Sequence, residues 1–419
     1  MRIDLYNPPV YQYSGTHYKL NPPLGLPIMA SVLAAAGHEV AVKDLEALQI
    51  DPDHLGLHFA RRKRMPDAVG FTVTTHNARG VKECIGTLRK AQYGGYIVLG
   101  GPHITMLGKG NIDEMSSFGA DAWVVGECEG NVGAIFENQQ RGLIQGRAAP
   151  IENIPTPLWS HHDPSPIKYL GNLPKVGHPE GIAMWSRGCP HSCIFCANPV
   201  FSRQQIRFKP PERIWADMEA LANLGVKGVF VYDDELVGQG ERQNEWLEES
   251  CGKIESLGLT WKCQGRCSEK HINKRTLRAM YAAGCRAIMW GVESFCDDIL
   301  ANIQKGTTEP DIWHALRTAK EVGIGNWLFL MVGNYGETTK HLAQTQERLA
   351  KAQQEGLVQW RQVTVCTPMP GTELYARAKE EGWLIEPPEV GPQMNQVYNA
   401  TAWISKRELR FWKAQLEAA

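Results

Sequence analysis

The sequence has no apolar run long enough to span a bilayer, and neither sign of charge is in excess. Its 44 Lys and Arg oppose 45 Asp and Glu, for a formal net charge of −1. That balance excludes a general electrostatic grip on nucleic acid. The run Arg61-Arg62-Lys63-Arg64 is short and reads as solvated loop, and Arg203, Arg207 and Lys209 are spread too thinly to make a basic block. No phosphate loop or sugar motif is present. The cysteines have no pairing framework either. Eleven is an odd number, and Cys84, Cys128, Cys251, Cys263, Cys267, Cys285, Cys296 and Cys366 follow no regular spacing. Unpaired thiols fit a reducing, cytoplasmic setting. No signal-peptide pattern opens the chain, where Arg2-Ile3-Asp4-Leu5-Tyr6 reads as a strand.

What the chain does have is one tight group of thiols, Cys189-Pro190-His191-Ser192-Cys193-Ile194-Phe195-Cys196. The strand-like residues 181–185 lead into it, and Arg187-Gly188 break the strand into a loop. A loop can enclose a metal centre, whereas a helix would carry these thiols along one face. Three cysteines are one short of a structural zinc set or a closed cubane cluster. Two readings stay open from spacing alone. One is a four-iron cluster with one iron open to a small molecule. The other is a zinc loop in which His191 supplies the fourth ligand.

The rest alternates strand and helix. In the first third, strands are expected at 2–6, 39–43, 68–73, 96–99 and 122–125, with helical patterns between them. That alternation predicts an α/β fold that opens with a doubly wound, Rossmann-like parallel sheet. Such sheets bind ligands beyond the carboxyl ends of their strands. Thr75, His76, Gly100, Gly101, Gly126 and Glu127 stand at those ends, either as turn residues or as the seat of a flat ligand that must approach the backbone closely. Prolines crowd residues 145–178, which read as a connector. From 179 to 375, six strands each return through a helix or loop, the pattern of a partial (β/α)6 barrel. Asp233, Asp234, Arg266, Glu293 and Asn334 fall at its strand ends. Residues 376–419 read as a short helical tail.

The CxxxCxxC spacing with Phe195 before the last thiol resembles the signature of the radical SAM superfamily. The resemblance implies that Cys189, Cys193 and Cys196 ligate a 4Fe-4S cluster, whose open iron chelates S-adenosylmethionine. It implies that Phe195 seats the adenine through its backbone, with Asp233, Asp234, Arg266, Glu293 and Asn334 around the ligand. Residues 1–144, through Pro22-Pro23-Leu24-Gly25-Leu26, Gly100-Gly101-Pro102-His103 and Gly126-Glu127-Cys128-Glu129, resemble the cobalamin-binding domain fused to one subclass of that superfamily. The Asp-x-His-x-x-Gly pattern is missing, since Leu45-Glu46-Ala47-Leu48-Gln49 follow Asp44. Cobalamin would then sit without that motif's imidazole below the cobalt. His76 is either a second candidate for that position or a solvent-facing loop residue. Tyr11, Tyr13 and Tyr18 are either residues of the domain interface or packing within a substrate loop.

The resemblance implies a C-methyltransferase. A 5′-deoxyadenosyl radical removes hydrogen from an unactivated carbon, and methylcobalamin donates the methyl group. The alternative is a rearrangement, cyclisation or oxidation without methyl transfer, and a third class is an electron-transfer or structural protein. The substrate is expected to be a small molecule or a peptide or protein side chain, and the electron donor a flavodoxin or ferredoxin. Replacing any one of Cys189, Cys193 or Cys196 by alanine is expected to abolish iron retention and S-adenosylmethionine cleavage together. Near-normal iron and sulfide in such a variant counts against the ligand set.

Overall fold

In the computed structural model the described residues are 1–10, 21–169, 171, 175–202, 204–384 and 401–418. Tyr11, Tyr13, Tyr18 and Arg203 lie outside them. The N-terminal sheet begins with β1 (Arg2–Asn7), whose residues Ile3 to Tyr6 are all buried. A strand that hides both faces needs layers on both sides. Here the second strand, β2 (Glu39–Asp44), is joined by β3 (Ala68–Thr72), β4 (Tyr96–Gly100), β5 (Ala122–Val125), β6 (Gly142–Gln145) and β7 (His162–Asp163). The spatial order is β6-β5-β4-β3-β1-β2-β7, with parallel pairing throughout.

Helices Gly25–Ala35 and Val132–Glu137 pack on one face, over Leu5, Val40, Val98 and Val124. Helices Pro52–Ala60 and Ala78–Lys90 cover the other, over Tyr6, Val69, Phe71 and Ile97. The sheet is therefore doubly wound. The strand order reverses between β1 and β3, and the crevice beyond that switch point is the expected ligand seat. Two strands of this sheet, β6 and β7, were not foreseen. The two-residue β7 pairs with β2 at Val42↔His162 and Lys43↔Asp163, inside the proline-rich stretch expected to be only a connector. Two residues are too few to show a periodicity.

The second sheet comprises β8 (Glu180–Ala183), β11 (Gly228–Val231), β12 (Thr260–Gly265), β13 (Cys285–Glu293), β14 (Gly325–Val332) and β15 (Trp360–Val365), six parallel strands side by side in chain order. Five helices return between them, at Pro211–Asn223, Glu241–Ile254, Lys274–Ala282, Glu309–Val322 and Thr339–Gln354. β8 and β15 do not pair with each other, so the barrel is partial, as expected. Its main core lies between the strands and those helices and includes Trp185, Trp261 and Trp290, all fully buried. A short antiparallel hairpin, β9 (Ser186–Arg187) with β10 (Arg207–Phe208), brackets the three-thiol loop. The last helix, Lys406–Ala418, buries Leu409 and Leu416. Among the described residues no helix is long and apolar enough to cross a membrane.

The turn after β14 corrects one expectation. Asn334 does not reach the barrel's central cavity. It is fully buried, and its side-chain amide donates to the Met331 carbonyl and to Glu337 Oε1, both at 3.2 Å. Glu337 in turn accepts the Gly333 and Asn334 backbone N–H groups at 2.7 and 3.1 Å. The amide nitrogen is thus spent on closing its own turn, while Oδ1 is buried with no hydrogen-bond partner among the described residues. Burial pushes the Glu337 carboxyl up to about 7 from its usual 4.5, against the pull of those donors. A carboxyl with a raised folded pKa holds its proton more tightly in the native state. Its stabilising contribution is therefore fullest below the unfolded value and falls as pH rises from about 4.5 to about 7. Between pH 5 and pH 7.5 the melting temperature of wild type is expected to drop relative to that of Glu337→Gln, which cannot ionise. A difference that does not change with pH in that window contradicts the assignment.

Candidate active site

Three consecutive carboxylates follow β11, and each grips a different part of the segment that leads into the thiol loop. Asp233 accepts the Trp185 and Ser186 backbone N–H groups at 2.7 and 2.6 Å, and also the Ser186 hydroxyl. Asp234 accepts the Gly188 N–H at 3.0 Å. Glu235 lies 3.4 Å from Cys189 Sγ and 3.3 Å from His191 Nε2. Burial raises the Asp233 carboxyl to about 7 and raises that of Asp234 as well. Asp233 thus corrects its expected role. It lines the cavity, but its oxygens are taken up by the backbone between β8 and β9, so it shapes the loop from behind.

The cavity itself has a volume of about 220 Å³. Cys189, Cys193 and Cys196 line it together, with Phe195 beside them. Arg266 Nη1 approaches Cys193 Sγ at 4.0 Å, and the Asn198 N–H donates to Cys196 Sγ at 3.4 Å. Burial pushes the Cys196 thiol up to about 11 and that of Cys189 higher still, so metal binding must release their protons. Four ligands around one zinc ion at about 2.3 Å lie about 3.8 Å apart. Among the described residues the only three donors all within 4.8 Å of one another are Cys189, His191 and Glu235. The three thiols are not all within that distance of one another, and His191 is paired with Glu235. That arrangement fits a cubane cluster and not a compact zinc site.

Glu293 ends β13 with φ at 63°, a left-handed conformation unusual for a residue with a side chain. The pairing of β13 with β14 slips between Gly291 and Glu293. Such a bulge redirects a side chain, and Glu293 lines the cavity. Lys305 reaches it at 2.9 Å, nearly buried. Burial opposes the charge on Lys305, but the Glu293 carboxylate outweighs it and holds the ammonium above its usual value. Sequence reasoning missed Lys305, Glu235, Tyr232 and Gln264, which also line this cavity. The run Asp233-Asp234-Glu235 was a signal for Glu235. For Lys305, twelve residues beyond Glu293, no local pattern existed.

A second opening lies at the carboxyl ends of β1, β3, β4 and β5. Gly70, Gly100, Gly101, Gly126 and Glu127 line it, with an apolar wall from helices Gly25–Ala35 and Val132–Glu137. A side chain on Gly100 would meet nothing within 4 Å and would project into open space. Gly101 has φ at 102°, and a Cβ there would come within 2.8 Å of the Val73 backbone. The former leaves room for a ligand; the latter sets the turn. This broad, apolar, backbone-lined crevice suits a large flat macrocycle such as a corrin.

Thr75 and His76 do not line the crevice. Thr75 Oγ1 lies 3.2 Å from His103 Nδ1, in the turn after β3, and turn residues 74–77 are held through Asn77. The structure thus places Thr75 and His76 in the turn beside the crevice. Burial lowers His103 to about 4, so that ring is neutral at pH 7. Glu127 lines the crevice, but its carboxylate turns toward the barrel. It meets Arg187 of β9 at 2.8 Å and also pairs with Arg207 of β10. Glu129 meets Arg187 at 2.6 Å.

Comparison with known proteins bears on both openings. A model of the Radical SAM superfamily matches residues 184–349, and one of the B12 binding domain matches residues 15–136. The chain belongs to the cobalamin-dependent radical SAM family. As a radical SAM enzyme of the methyltransferase type, it uses a 4Fe-4S cluster, S-adenosylmethionine and cobalamin. It is 28% identical over 372 residues to an uncharacterized methyltransferase of Pyrococcus horikoshii, covering 85% of this chain and 78% of that one. It is 25% identical to the anaerobic magnesium-protoporphyrin IX monomethyl ester cyclase of Rubrivivax gelatinosus, covering 90% of this chain and 69% of that one. Its fold is similar to that of the radical S-adenosylmethionine methyltransferase TsrM from Kitasatospora setae, solved with cobalamin and a 4Fe-4S cluster bound. The TM-score is 0.69 at 17% identity, over 91% of this chain and 78% of that one.

Gly100→Leu separates the two openings of this radical SAM enzyme. The side chain has space on the backbone side and fills the crevice. Cobalamin retained after anaerobic loading and gel filtration is expected to fall at least tenfold, with iron and sulfide unchanged. Retention equal to wild type contradicts the placement of the ligand.

Proposed function

We propose that this protein is a C-methyltransferase that acts on an unactivated carbon of a small molecule or of a peptide or protein side chain. The observation that carries the reading is the ion-pair bridge from Glu127 and Glu129 to Arg187 and Arg207. It joins the rim of the crevice in residues 1–144 to the hairpin that brackets the thiol loop. Two reactive groups that must act in turn on one carbon need a fixed separation, and orientation of this kind is worth many orders of magnitude in rate. When bound, the cluster and S-adenosylmethionine supply a carbon-centred radical and cobalamin supplies the methyl group.

The protein's own residues then bind, orient and shield. Cys189, Cys193 and Cys196 are the metal ligands, and the backbone at Phe195 borders the adenine. Glu293 is placed to take an ammonium, as it now takes that of Lys305. Arg266 is placed to pair with a carboxylate. Asp234 and Glu235 keep the loop in shape. Gly100, Gly101 and Gly126 let the corrin lie against the backbone. In this reading residues 179–375 form the radical domain, 145–178 are the linker to the first sheet, and the helix Lys406–Ala418 belongs to a short C-terminal tail. A flavodoxin or ferredoxin supplies the electron, in a cytoplasm that keeps the eleven cysteines reduced.

A second reading, radical cyclisation or oxidation without methyl transfer, is favoured by the similarity to the cyclase over nine-tenths of the chain. The two separate in one experiment. The protein is purified anaerobically with hydroxocobalamin, then incubated with reductant, methyl-labelled S-adenosylmethionine and desalted or whole cell extract as the substrate source. The methyltransferase reading expects 5′-deoxyadenosine together with label in a new C–CH3 product. Release of 5′-deoxyadenosine with substrate turnover and no label in the product supports the second reading instead.

A further inference from the structure

The two carboxylates after β5 are not equivalent. Glu127 gives one oxygen to Arg187 and the other to Arg207. Glu129 gives Oε1 to Arg187, while its Oε2 is buried with no hydrogen-bond partner among the described residues. The side chain is only 4% exposed, and the residue lines the crevice. A buried carboxylate oxygen without a donor is unfavourable, and native proteins rarely leave one so. The described residues supply no donor to it, and Glu129 lines the crevice, where an occupant could supply one. The rim of a corrin carries primary amides, whose N–H groups are donors of the right kind.

Arg187 connects the other oxygen of Glu129 to the cluster. It stands two residues before Cys189, and Asp234 holds the intervening Gly188 N–H. Its guanidinium is nearly buried, with 12% of the side chain exposed, and two carboxylates hold its charge above its usual value against the effect of burial. The Arg187 backbone pairs with that of Arg207 across the loop. The backbone that enters the thiol loop is thus the one that presents the Arg187 guanidinium to Glu129.

We propose that Glu129 is a two-sided contact, accepting an amide N–H of cobalamin on Oε2 and holding Arg187 on Oε1, so that cluster loading and cobalamin binding strengthen each other. This rests on the crevice being the cobalamin seat. Reciprocity follows from linkage: each ligand must alter the affinity of the other by the same factor. Glu129 and Arg187 are positioning residues in this scheme.

Equilibrium dialysis tests it with the full chain. Hydroxocobalamin affinity is measured by bound cobalt, anaerobically, on chelator-treated cluster-free protein and on cluster-reconstituted protein. Wild type is expected to bind at least about fivefold more tightly with the cluster in place, the low end of usual coupling factors. Glu129→Gln is expected to keep its iron, to bind cobalamin more weakly, and to show a ratio near one between the two forms. Arg187→Lys, which retains a cation beside Glu129, is expected to keep part of the ratio. A wild-type ratio of one with cobalamin still bound overturns the coupling alone. A Glu129→Gln ratio equal to that of wild type overturns the role of Glu129. No cobalamin uptake by either wild-type form overturns the crevice assignment and the coupling together.

Discussion

The Arg187 guanidinium, nearly buried between Glu127 and Glu129, is the contact on which the rest of the molecule depends. A single buried cation here would be strongly disfavoured. The two carboxylates that follow β5 make it tolerable. Breaking a buried ion pair by removing one partner typically costs about 3–5 kcal/mol, because the remaining charge has no water. The cluster is thus tied to a register between the two sheets that neither sheet defines alone. The position matters as much as the energy. Arg187 enters the thiol loop, and Glu127 and Glu129 leave a strand end at the crevice.

Behind that contact, the loop is held by acids that also line the cavity. Asp233, Asp234 and Glu235 lie in a row after β11 and restrain, in turn, the backbone at 185–186, the backbone at 188, and the side chains of Cys189 and His191. A loop that must wrap a metal centre cannot be satisfied by ladder hydrogen bonds, so its N–H groups need side-chain acceptors. Such acceptors also keep the loop preorganised, and a preorganised site loses less on binding. Glu293 shows the same logic at the opposite wall. A bulge and a left-handed backbone are unfavourable locally, and they persist because β13 is buried between two neighbours. What they achieve is a carboxylate facing the cavity and held ready by Lys305.

The architecture was legible from periodicity. Alternating apolar strands and amphipathic helices predict parallel sheets, and small residues at strand ends mark the ligand side. The thiol spacing and the glycines at 100, 101 and 126 carried their chemistry in the local sequence. At other positions the local sequence left the side chain's direction open. Asn334, Thr75 and His76 stand at strand ends as ligand-binding residues do, but strand-end position does not say which way a side chain turns. Asn334 closes its own turn with Glu337, and Thr75 meets His103. Asp233 lines the cavity with its carboxylate facing backward.

By itself, then, the sequence determined the two sheets, the three thiols that face one cavity, and the side of each sheet on which a ligand sits. These follow from residue type and spacing within a few dozen residues. Only the tertiary structure decided that Glu127 serves the barrel hairpin, that Glu129 keeps one oxygen for the crevice, and that Lys305 answers Glu293. Those pairings join residues 12 to 80 apart in the chain. The direction of a buried charge is set by which opposite charge is close enough to offset its desolvation, and that is a property of packing, not of local sequence.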